Sequence, residues 1–281
     1  MARKRKLFSE LGPLAYEISV RKSSLLRALR DRKNHVRFAK TKEAAPLPAL
    51  VYSHKSLIRR RLGNVDMRLQ ENKAANLALA APRLDGVLIR PGETFSLWEL
   101  LGRCTAKKGY KEGLTLARGV PGAGVGGGMC QLSNLLHWLC LHSPLEIAEH
   151  HHHDGVDLFP DFGRQVPFGC GTSIAYKFLD YRAKNTTAVA FQLRVWTDDT
   201  YLCGELRATE ALPRRYHIAE TGSRFVREPD GLYRENTVER RVVDPVTGNE
   251  LERRVIRRSH ARVMYDEKFV DAGMIVEGAE S

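Results

Sequence analysis

A cysteine that closely follows a run of glycines is the residue of this chain best placed for nucleophilic chemistry. Cys130 comes two residues after Gly126, Gly127 and Gly128, and it opens a stretch with leucines at helical spacing. The N–H groups and the dipole at a helix N-terminus favour an anion, which would lower the pKa of the thiol. Cys130 is therefore a candidate nucleophile. The alternative is a small buried apolar side chain, which is what most cysteines are.

The glycines and the first turns of that helix would form the walls of such a site. Glycine allows another backbone or a substrate to approach closely, and backbone N–H groups between Gly128 and Gln131 would hold an oxyanion. Asn134 lies one turn beyond Cys130 on the same helical face. We assign five residues to substrate binding, namely Gly126, Gly127, Gly128, Gln131 and Asn134. No Gly-Lys-Ser/Thr follows the glycines, which argues against a nucleotide site.

Four consecutive histidines, residues 150–153, are the second chemical feature. They follow an alternating strand pattern, and if that strand continued, His151 and His153 would share a face with Ile147. A His-x-His pair supplies either a general base with its supporting residue or two metal ligands. His151 and His153 are thus candidate partners of Cys130, while a solvated loop is the alternative.

Asp180 is the third candidate, because it ends an alternating apolar pattern in residues 174–178. A carboxylate that points towards buried neighbours needs a partner. Asp180 would orient a histidine, bind a metal, or pair with Arg182 or Lys184. A cysteine, then histidines, then an acid is also the chain order of papain-like and transglutaminase-like thiol enzymes, which is an analogy of order alone.

The elements that must position these residues are predicted from periodicity and turn residues. Helices are predicted in the basic residues 1–40 and at residues 53–63, 72–84 and 130–142, and strands at residues 145–148, 172–180 and 188–196. Residues 119–128 contain too many glycines for regular structure. Residues 201–268 alternate apolar and charged side chains, as β-hairpins do.

The sequence therefore predicts an α+β fold in three regions. Residues 1–70 form a basic helical N-terminal region, residues 71–200 a mixed β core with a buried helix that carries Cys130, and residues 201–281 a β-hairpin-rich extension. The net charge of +12 belongs to the first region, where 18 Lys and Arg against 5 Asp and Glu leave +13, so that the rest carries −1.

Composition and charge exclude several classes of protein. No stretch approaches the roughly 18 consecutive apolar residues of a membrane helix, and five irregularly spaced cysteines argue against a disulfide framework or a zinc ribbon. We expect a cytoplasmic protein without a cofactor. Nucleic-acid binding is not expected, because few aromatic residues accompany the basic ones. Basic clusters at residues 3–6 and 59–61 would give weak association with anionic membranes.

Several motifs, taken in order across about residues 70–195, resemble the VanW family. They are Asn76, the Pro-Gly-Glu-x-Phe-Ser pattern of residues 91–96, the Gly-Gly-Gly-x-Cys-Gln pattern of residues 126–131, Glu149 with His151 and His153, and residues 180–186. The resemblance implies a link to glycopeptide (vancomycin) resistance or to cell-wall metabolism.

The chain also departs from the pattern of that family at two places. Members often carry an aspartate where this chain has Gly171, which shifts weight to Asp180. Members usually have arginine and proline where this chain has His150 and His152. These two histidines are therefore expected to be bystanders.

Three kinds of site are compatible with these residues. The favoured one is a thiol hydrolase or transferase that acts on a peptide or amide of a cell-wall precursor. Cys130 would attack, His151 or His153 would act as the base, and Asp180 would orient that base. The second is a metal site built from Cys130, His151 and His153. The third is a non-catalytic binding or regulatory domain, which would also take a peptide or small molecule.

Overall fold

The computed structural model describes residues 7–60, 66–117, 120–152, 155–161 and 164–278. Within these ranges the chain forms the α-helices α1 (Pro13–Lys33), α2 (Met67–Leu84), α3 (Leu97–Leu101) and α4 (Met129–Leu141), and short 3₁₀ turns at Phe8–Glu10, Ala106–Lys108, Glu267–Phe269 and Ala272–Met274.

The strands in the same ranges are β1 (Arg37–Phe38), β2 (Ala49–Leu57), β3 (Leu88–Ile89), β4 (Glu93–Ser96), β5 (Glu112–Ala117), β6 (Val120–Val125), β7 (Glu146–Glu149), β8 (Val156–Asp157), β9 (Arg182–Lys184), β10 (Phe191–Thr197), β11 (Tyr201–Ala208), β12 (Arg215–Glu228), β13 (Gly231–Val243), β14 (Glu250–Val263) and β15 (Ile275–Glu277). Helices and strands are mixed along the chain, so the predicted α+β class is confirmed.

The described strands form three sheets and one separate hairpin. Sheet A has the order β1-β4-β9-β7, sheet B the order β2-β11-β10-β3 and sheet C the order β15-β12-β13-β14-β8, while β5 pairs only with β6. Sheet B takes strands from all three predicted regions. The boundaries at residues 70 and 200 stay predictions, because strand pairing alone does not divide the chain into units.

The main core lies where α2 and α4 pack against sheet B. Four leucines of α4 are at most 2% exposed, namely Leu132, Leu135, Leu136 and Leu139, and burying each contributes about 2 kcal/mol. α4 approaches β11 closely, since a Cβ at Gly204 would lie 3.0 Å from both Leu135 and Leu139. The predicted helices at residues 72–84 and 130–142 are thus confirmed as α2 and α4.

The C-terminal part of the chain forms the long hairpins that its alternation predicts. β13 pairs antiparallel with β12 on one side and with β14 on the other. Val238 of β13 packs with Trp138 and Leu141 of α4, which joins sheet C to the core helix. None of the helices that the structure describes combines the length and apolar character that crossing a membrane requires.

Two predictions of local structure are wrong, one at residues 53–63 and one at residues 119–128. The helix predicted at residues 53–63 is wrong where the structure describes it, because β2 runs to Leu57 and pairs with β11 along its length. Residues 61–63 lie outside the described ranges. The partner strand lies about 150 residues away, so local basic periodicity could not reveal it. Residues 120–125 are regular after all, since β6 pairs with β5 and its glycines are tolerated in a two-stranded hairpin.

The predicted strand at residues 172–180 is also wrong. Only an isolated bridge joins Ala175 to Leu179, and Lys177 takes a left-handed φ of 62° that turns the chain between them. Similarly, β7 ends at Glu149 and does not continue through the histidines. The face-sharing predicted for His151 therefore does not apply, and His153 lies outside the described residues.

Candidate functional site

An open cleft of about 500 Å³ lies beside the N-terminal end of α4. Cys130, the second residue of α4, lines it together with the three glycines that precede the helix. Aromatic side chains from three different segments form part of its wall, namely Tyr16, Trp98 and Tyr176. The cleft thus combines a thiol, exposed backbone and apolar surface, which suits a small peptide-like ligand.

The three glycines are required by the backbone around them. Gly126 and Gly128 have φ values of +85° and +105°, where side chains other than glycine are rarely found. A Cβ at Gly127 would lie 2.3 Å from the carbonyl carbon of Gly113 in the neighbouring strand. Asn76 fixes the same loop, because its side-chain N–H donates to the carbonyl of Gly127 at 2.9 Å. The loop is therefore a rigid wall of the cleft.

The environment of Cys130 sets its acidity in the direction opposite to the prediction. Burial raises the pKa of the Cys130 thiol to about 11, and the backbone N–H of Ile174, which donates to the sulfur, offsets only part of this effect. The dipole of α4 does not compensate for the loss of water around the thiolate. At neutral pH the resting thiol is therefore protonated.

Asn134 and Gln131, predicted to bind substrate, make hydrogen bonds within the chain. The side-chain oxygen of Asn134 accepts from the backbone N–H of Thr172 at 2.7 Å and from its hydroxyl at 2.8 Å. The side-chain N–H of Gln131 donates to Ser56 Oγ at 2.9 Å. These two residues hold α4 against the segment 171–174 and against β2, respectively.

The histidines differ from one another in their surroundings. His151 Nε2 lies 3.0 Å from Glu149 Oε1, and its side chain is 36% exposed. His150 stacks on the buried His137, with ring centroids 3.9 Å apart, and its ring meets that of His152 edge-on. Burial lowers the pKa of His150 to about 3, so it stays neutral. His150 thus belongs to the interior packing and His151 to the polar surface.

Glu149 is the functional candidate that sequence reasoning did not single out. It forms an ion pair with Arg27, and it accepts a hydrogen bond from the backbone N–H of Asp180 at 2.9 Å. Burial alone would raise the pKa of Glu149, but the hydrogen bonds from Arg27, Asp180 and His151 outweigh burial and hold the pKa at about 2. The only hint in the sequence was its place in the motif with His151.

Asp180 makes contacts that do not include a histidine among the described residues. Its carboxylate accepts from Ser96 Oγ at 2.6 Å, from the N–H of Trp98 at 3.2 Å and from Arg182 Nε at 2.9 Å. Arg182 in turn pairs with Asp31 at 2.6 Å. Asp180 therefore pairs with Arg182, the alternative given above, and fixes the start of α3. The carboxylate bonded to His151 belongs to Glu149.

Cys130 and His151 are connected through one short stretch of backbone. The N–H of Ser173 donates to the carbonyl of His151 at 2.7 Å, and the N–H of the next residue, Ile174, donates to the sulfur of Cys130. Two consecutive peptide groups therefore contact one residue each: the first the carbonyl of His151, the second the sulfur of Cys130. The segment 171–174 holds the thiol on one side and the backbone of His151 on the other.

A second cleft, of about 320 Å³, is lined by charged side chains. Arg27 and Asp31 of α1 line it together with Lys177 and Arg182, and Trp98 lines both clefts. Within the described residues, no group of three or more Cys, His, Asp and Glu side chains is arranged to hold a metal ion. The metal site with His153 stays untested, since that residue lies outside the described ranges.

Comparison with known proteins places these residues in a family. A family model described as "VanW like protein" matches residues 72–207. The chain is 36% identical over 228 residues to "Vancomycin B-type resistance protein VanW" of Enterococcus faecalis (strain ATCC 700802 / V583), which covers 81% of this chain and 82% of that protein. The chain belongs to the VanW family.

A second relative of this VanW-family chain is more distant. It is "Uncharacterized protein YoaR" of Bacillus subtilis (strain 168), which is 30% identical over 118 residues, or 41% of this chain and 36% of that protein. No solved structure matches the chain. The VanW model contains Cys130, Glu149, His151 and Asp180, whereas α1 and the hairpins of sheet C lie outside it.

Proposed function

We propose that this VanW-family protein is a cysteine-dependent acyl-transfer enzyme that acts on a peptide or amide bond of a cell-wall precursor. The proposal rests on one observation above all. The N–H groups of Ser173 and Ile174, which are adjacent, donate to the backbone carbonyl of His151 and to the sulfur of Cys130, respectively. The His151 side chain is hydrogen-bonded to an ionised carboxylate, Glu149. The vancomycin-resistance name of the Enterococcus relative supports a cell-wall substrate.

The roles of the residues follow from this arrangement. His151 takes the proton of the Cys130 thiol while the sulfur bonds to the substrate carbonyl carbon. Backbone N–H groups at the first turn of α4 hold the oxyanion. The N–H of Gln131 already donates to the carbonyl of Gly128 at 2.9 Å, so the N–H groups of the residues before Gln131 take this role. The carbon–nitrogen bond then breaks, and the leaving amine receives the proton from His151.

The second half of the reaction restores the thiol. Water, or the amine of an acceptor peptide, attacks the thioester carbon, and the carbon–sulfur bond breaks. The proton of the attacking group passes through His151 to the sulfur. Water as the acceptor makes the protein a hydrolase and an amine makes it a transferase. Glu149 orients the His151 ring in both halves, and its low pKa keeps it ionised throughout.

The raised pKa of Cys130 fits a general-base mechanism better than a preformed ion pair. A thiol with a pKa of about 11 holds little thiolate at neutral pH. Attack therefore needs a base that removes the proton as the new bond forms.

The proposal is tested with the purified chain and a mixture of cell-wall stem peptides, analysed by mass spectrometry. We expect new products, an acyl adduct on Cys130, and loss of both in Cys130→Ala. Cys104→Ser is the matched control, because Cys104 lines the same cleft and burial likewise raises its pKa to about 11. Unchanged turnover in Cys130→Ala would overturn the proposal.

A non-catalytic binding domain is the second candidate function. The neutral thiol and the aromatic wall of the cleft favour it, because both suit binding without chemistry. A thermal-shift titration with the same stem peptides separates the two functions. Binding that is kept in Cys130→Ala, with no product from the unaltered chain, would support the binding domain.

A further inference from the structure

Helix α1 has one side committed to the rest of the protein. Val20 is buried on this side, Arg27 pairs with Glu149, and Asp31 pairs with Arg182. Nearer the start of the helix, the Tyr16 ring lies 6.0 Å from that of Phe178, between ring centroids. The orientation of α1 is therefore fixed by contacts along most of its length.

The opposite side of α1 carries large aliphatic side chains in contact with solvent. They recur at helical spacing along one face and are between 48% and 76% exposed, namely Leu14, Ile18, Leu25 and Leu29. We call this set the outer stripe. The stripe has one gap, at the turn that carries Arg21 and Lys22, and so many exposed aliphatic side chains on one helical face are unusual on a protein that has no partner there.

Basic residues border the outer stripe on both sides. Four exposed basic side chains flank the stripe around the helix, namely Arg21, Lys22, Arg32 and Lys33. The acidic residues of α1, Glu17 and Asp31, face the other way and are paired with Arg103 and Arg182. The outer side of α1 is thus apolar in the middle, positive at the edges and free of acids.

We infer that the outer stripe of α1 binds the surface of an anionic lipid bilayer. The aliphatic side chains would enter the boundary between head groups and acyl chains, while the flanking cations contact anionic head groups. A second copy of the chain fits this surface poorly, because two such faces would bring like charges together. This inference is independent of the proposed acyl-transfer chemistry.

The basic clusters predicted from the sequence are not what carries this inference. Residues 3–6 lie outside the described ranges, and Arg59 is engaged with Glu71 at 2.7 Å. The outer stripe has a structural consequence as well. Since Tyr16 and Arg27 on the inner side of α1 line the two clefts, a bound bilayer would lie close to both clefts.

The inference is tested by co-sedimentation of the full chain with two kinds of vesicle. One contains phosphatidylcholine alone and the other equal parts of phosphatidylcholine and anionic phosphatidylglycerol, both at about 0.15 M salt. We expect the chain to bind the anionic vesicles. Its affinity for the neutral vesicles should be at least about tenfold lower. The triple variant Leu14→Gln, Ile18→Gln, Leu25→Gln should lose binding by at least about tenfold.

A matched control separates this surface from general hydrophobicity. Val246, Leu251 and Met264 are exposed elsewhere, at 91%, 52% and 57%, and their triple replacement by Gln should leave vesicle binding unchanged. Thermal unfolding checks that both triple variants fold. No sedimentation of the unaltered chain with anionic vesicles would overturn the inference. The inference would also be overturned if sedimentation velocity showed the unaltered chain to be a dimer and the stripe variant to be a monomer, because the stripe would then bind a second copy of the chain.

Discussion

Cys130 and Glu149 lie on either side of the segment 171–180, and both are largely enclosed by the protein. Burial raises the pKa of the Cys130 thiol to about 11. Around Glu149, hydrogen bonds from Arg27, Asp180 and His151 overcome burial and hold the pKa at about 2. The same removal of water therefore gives opposite charge states, because one group has a single weak donor and the other a guanidinium.

The fold places apolar side chains around α4 and charged side chains under α1. The region around α4 is largely neutral and apolar: its leucines are buried, and the ring of its His137 stacks on that of His150. The region under α1 concentrates charge, and its ion pairs connect distant parts of the chain. In the proposed acyl-transfer reaction, the neutral thiol would react only when a bound substrate is present and His151 takes its proton.

The reactivity of Cys130 reports directly on how far burial raises the pKa of its thiol. A rise in pKa from 9.0 to about 11 lowers the thiolate fraction at pH 7 about 100-fold. Iodoacetamide should therefore alkylate Cys130 about 100-fold more slowly in the folded chain than in the denatured one. The rate should rise with pH up to about 11. Fast alkylation of the folded chain at pH 7 would show that the helix dipole prevails.

Removing the guanidinium of Arg27 tests what stabilises the charged Glu149. Arg27→Met leaves the Glu149 carboxylate without its main partner and also removes a hydrogen bond to the carbonyl of Phe178. We expect a loss of about 2 kcal/mol in the free energy of unfolding, since breaking an enclosed ion pair is costly. Urea unfolding at pH 7 measures it. Arg59→Met, which breaks the exposed pair with Glu71, serves as the control and should change little.

His150 and Glu149 should affect stability in different ranges of pH. The pKa of His150 is lowered to about 3, so the folded chain resists a proton that the unfolded chain accepts below about 6.5. Stability should therefore fall as the pH drops from about 6.5 towards 3. His150→Phe keeps a ring against His137 and should remove about 1.5 kcal/mol of that fall.

Glu149 should act in a lower window of pH. Its pKa is depressed from 4.5 to about 2, so its contribution is present above about pH 4.5 and is lost as the pH falls towards 2. Unfolding curves of Glu149→Gln, taken at a series of pH values, should converge with those of the unaltered chain below about pH 2. Curves for His150→Phe that parallel the unaltered chain between pH 6.5 and 3 would contradict the assignment of that window.

Local patterns predicted the elements whose causes are local. α2 and α4 have apolar residues at helical spacing, and β10 and the hairpins of sheet C alternate, so their burial can be read from neighbouring residues. From Ser53 onwards the local pattern predicts a helix where β2 continues, because the partner strand β11 lies far along the chain. Long-range strand pairing leaves no mark in a short window of sequence.

The candidate site was predictable only in part for the same reason. Cys130 and the glycines could be found, since they lie in one motif beside a helix. The partner of His151 could not, because Arg27, which helps to hold the pKa of the enclosed Glu149 low, is 122 residues away in sequence. Asp180 satisfied the expected need for a partner, yet four local and long-range donors take up its carboxylate. Choosing between two acids requires knowing where the donors are.

The smallest expected effect concerns the link between α4 and the segment that joins the two regions. Asn134→Ala removes the acceptor for both the N–H and the hydroxyl of Thr172, which is buried. An unsatisfied buried N–H costs about 1 kcal/mol, and urea unfolding should detect that loss. Asn72→Ala removes a single exposed hydrogen bond to the carbonyl of Glu112 and should have a smaller effect. If Asn134 bound ligand instead of this segment, its replacement would weaken peptide binding and leave stability unchanged.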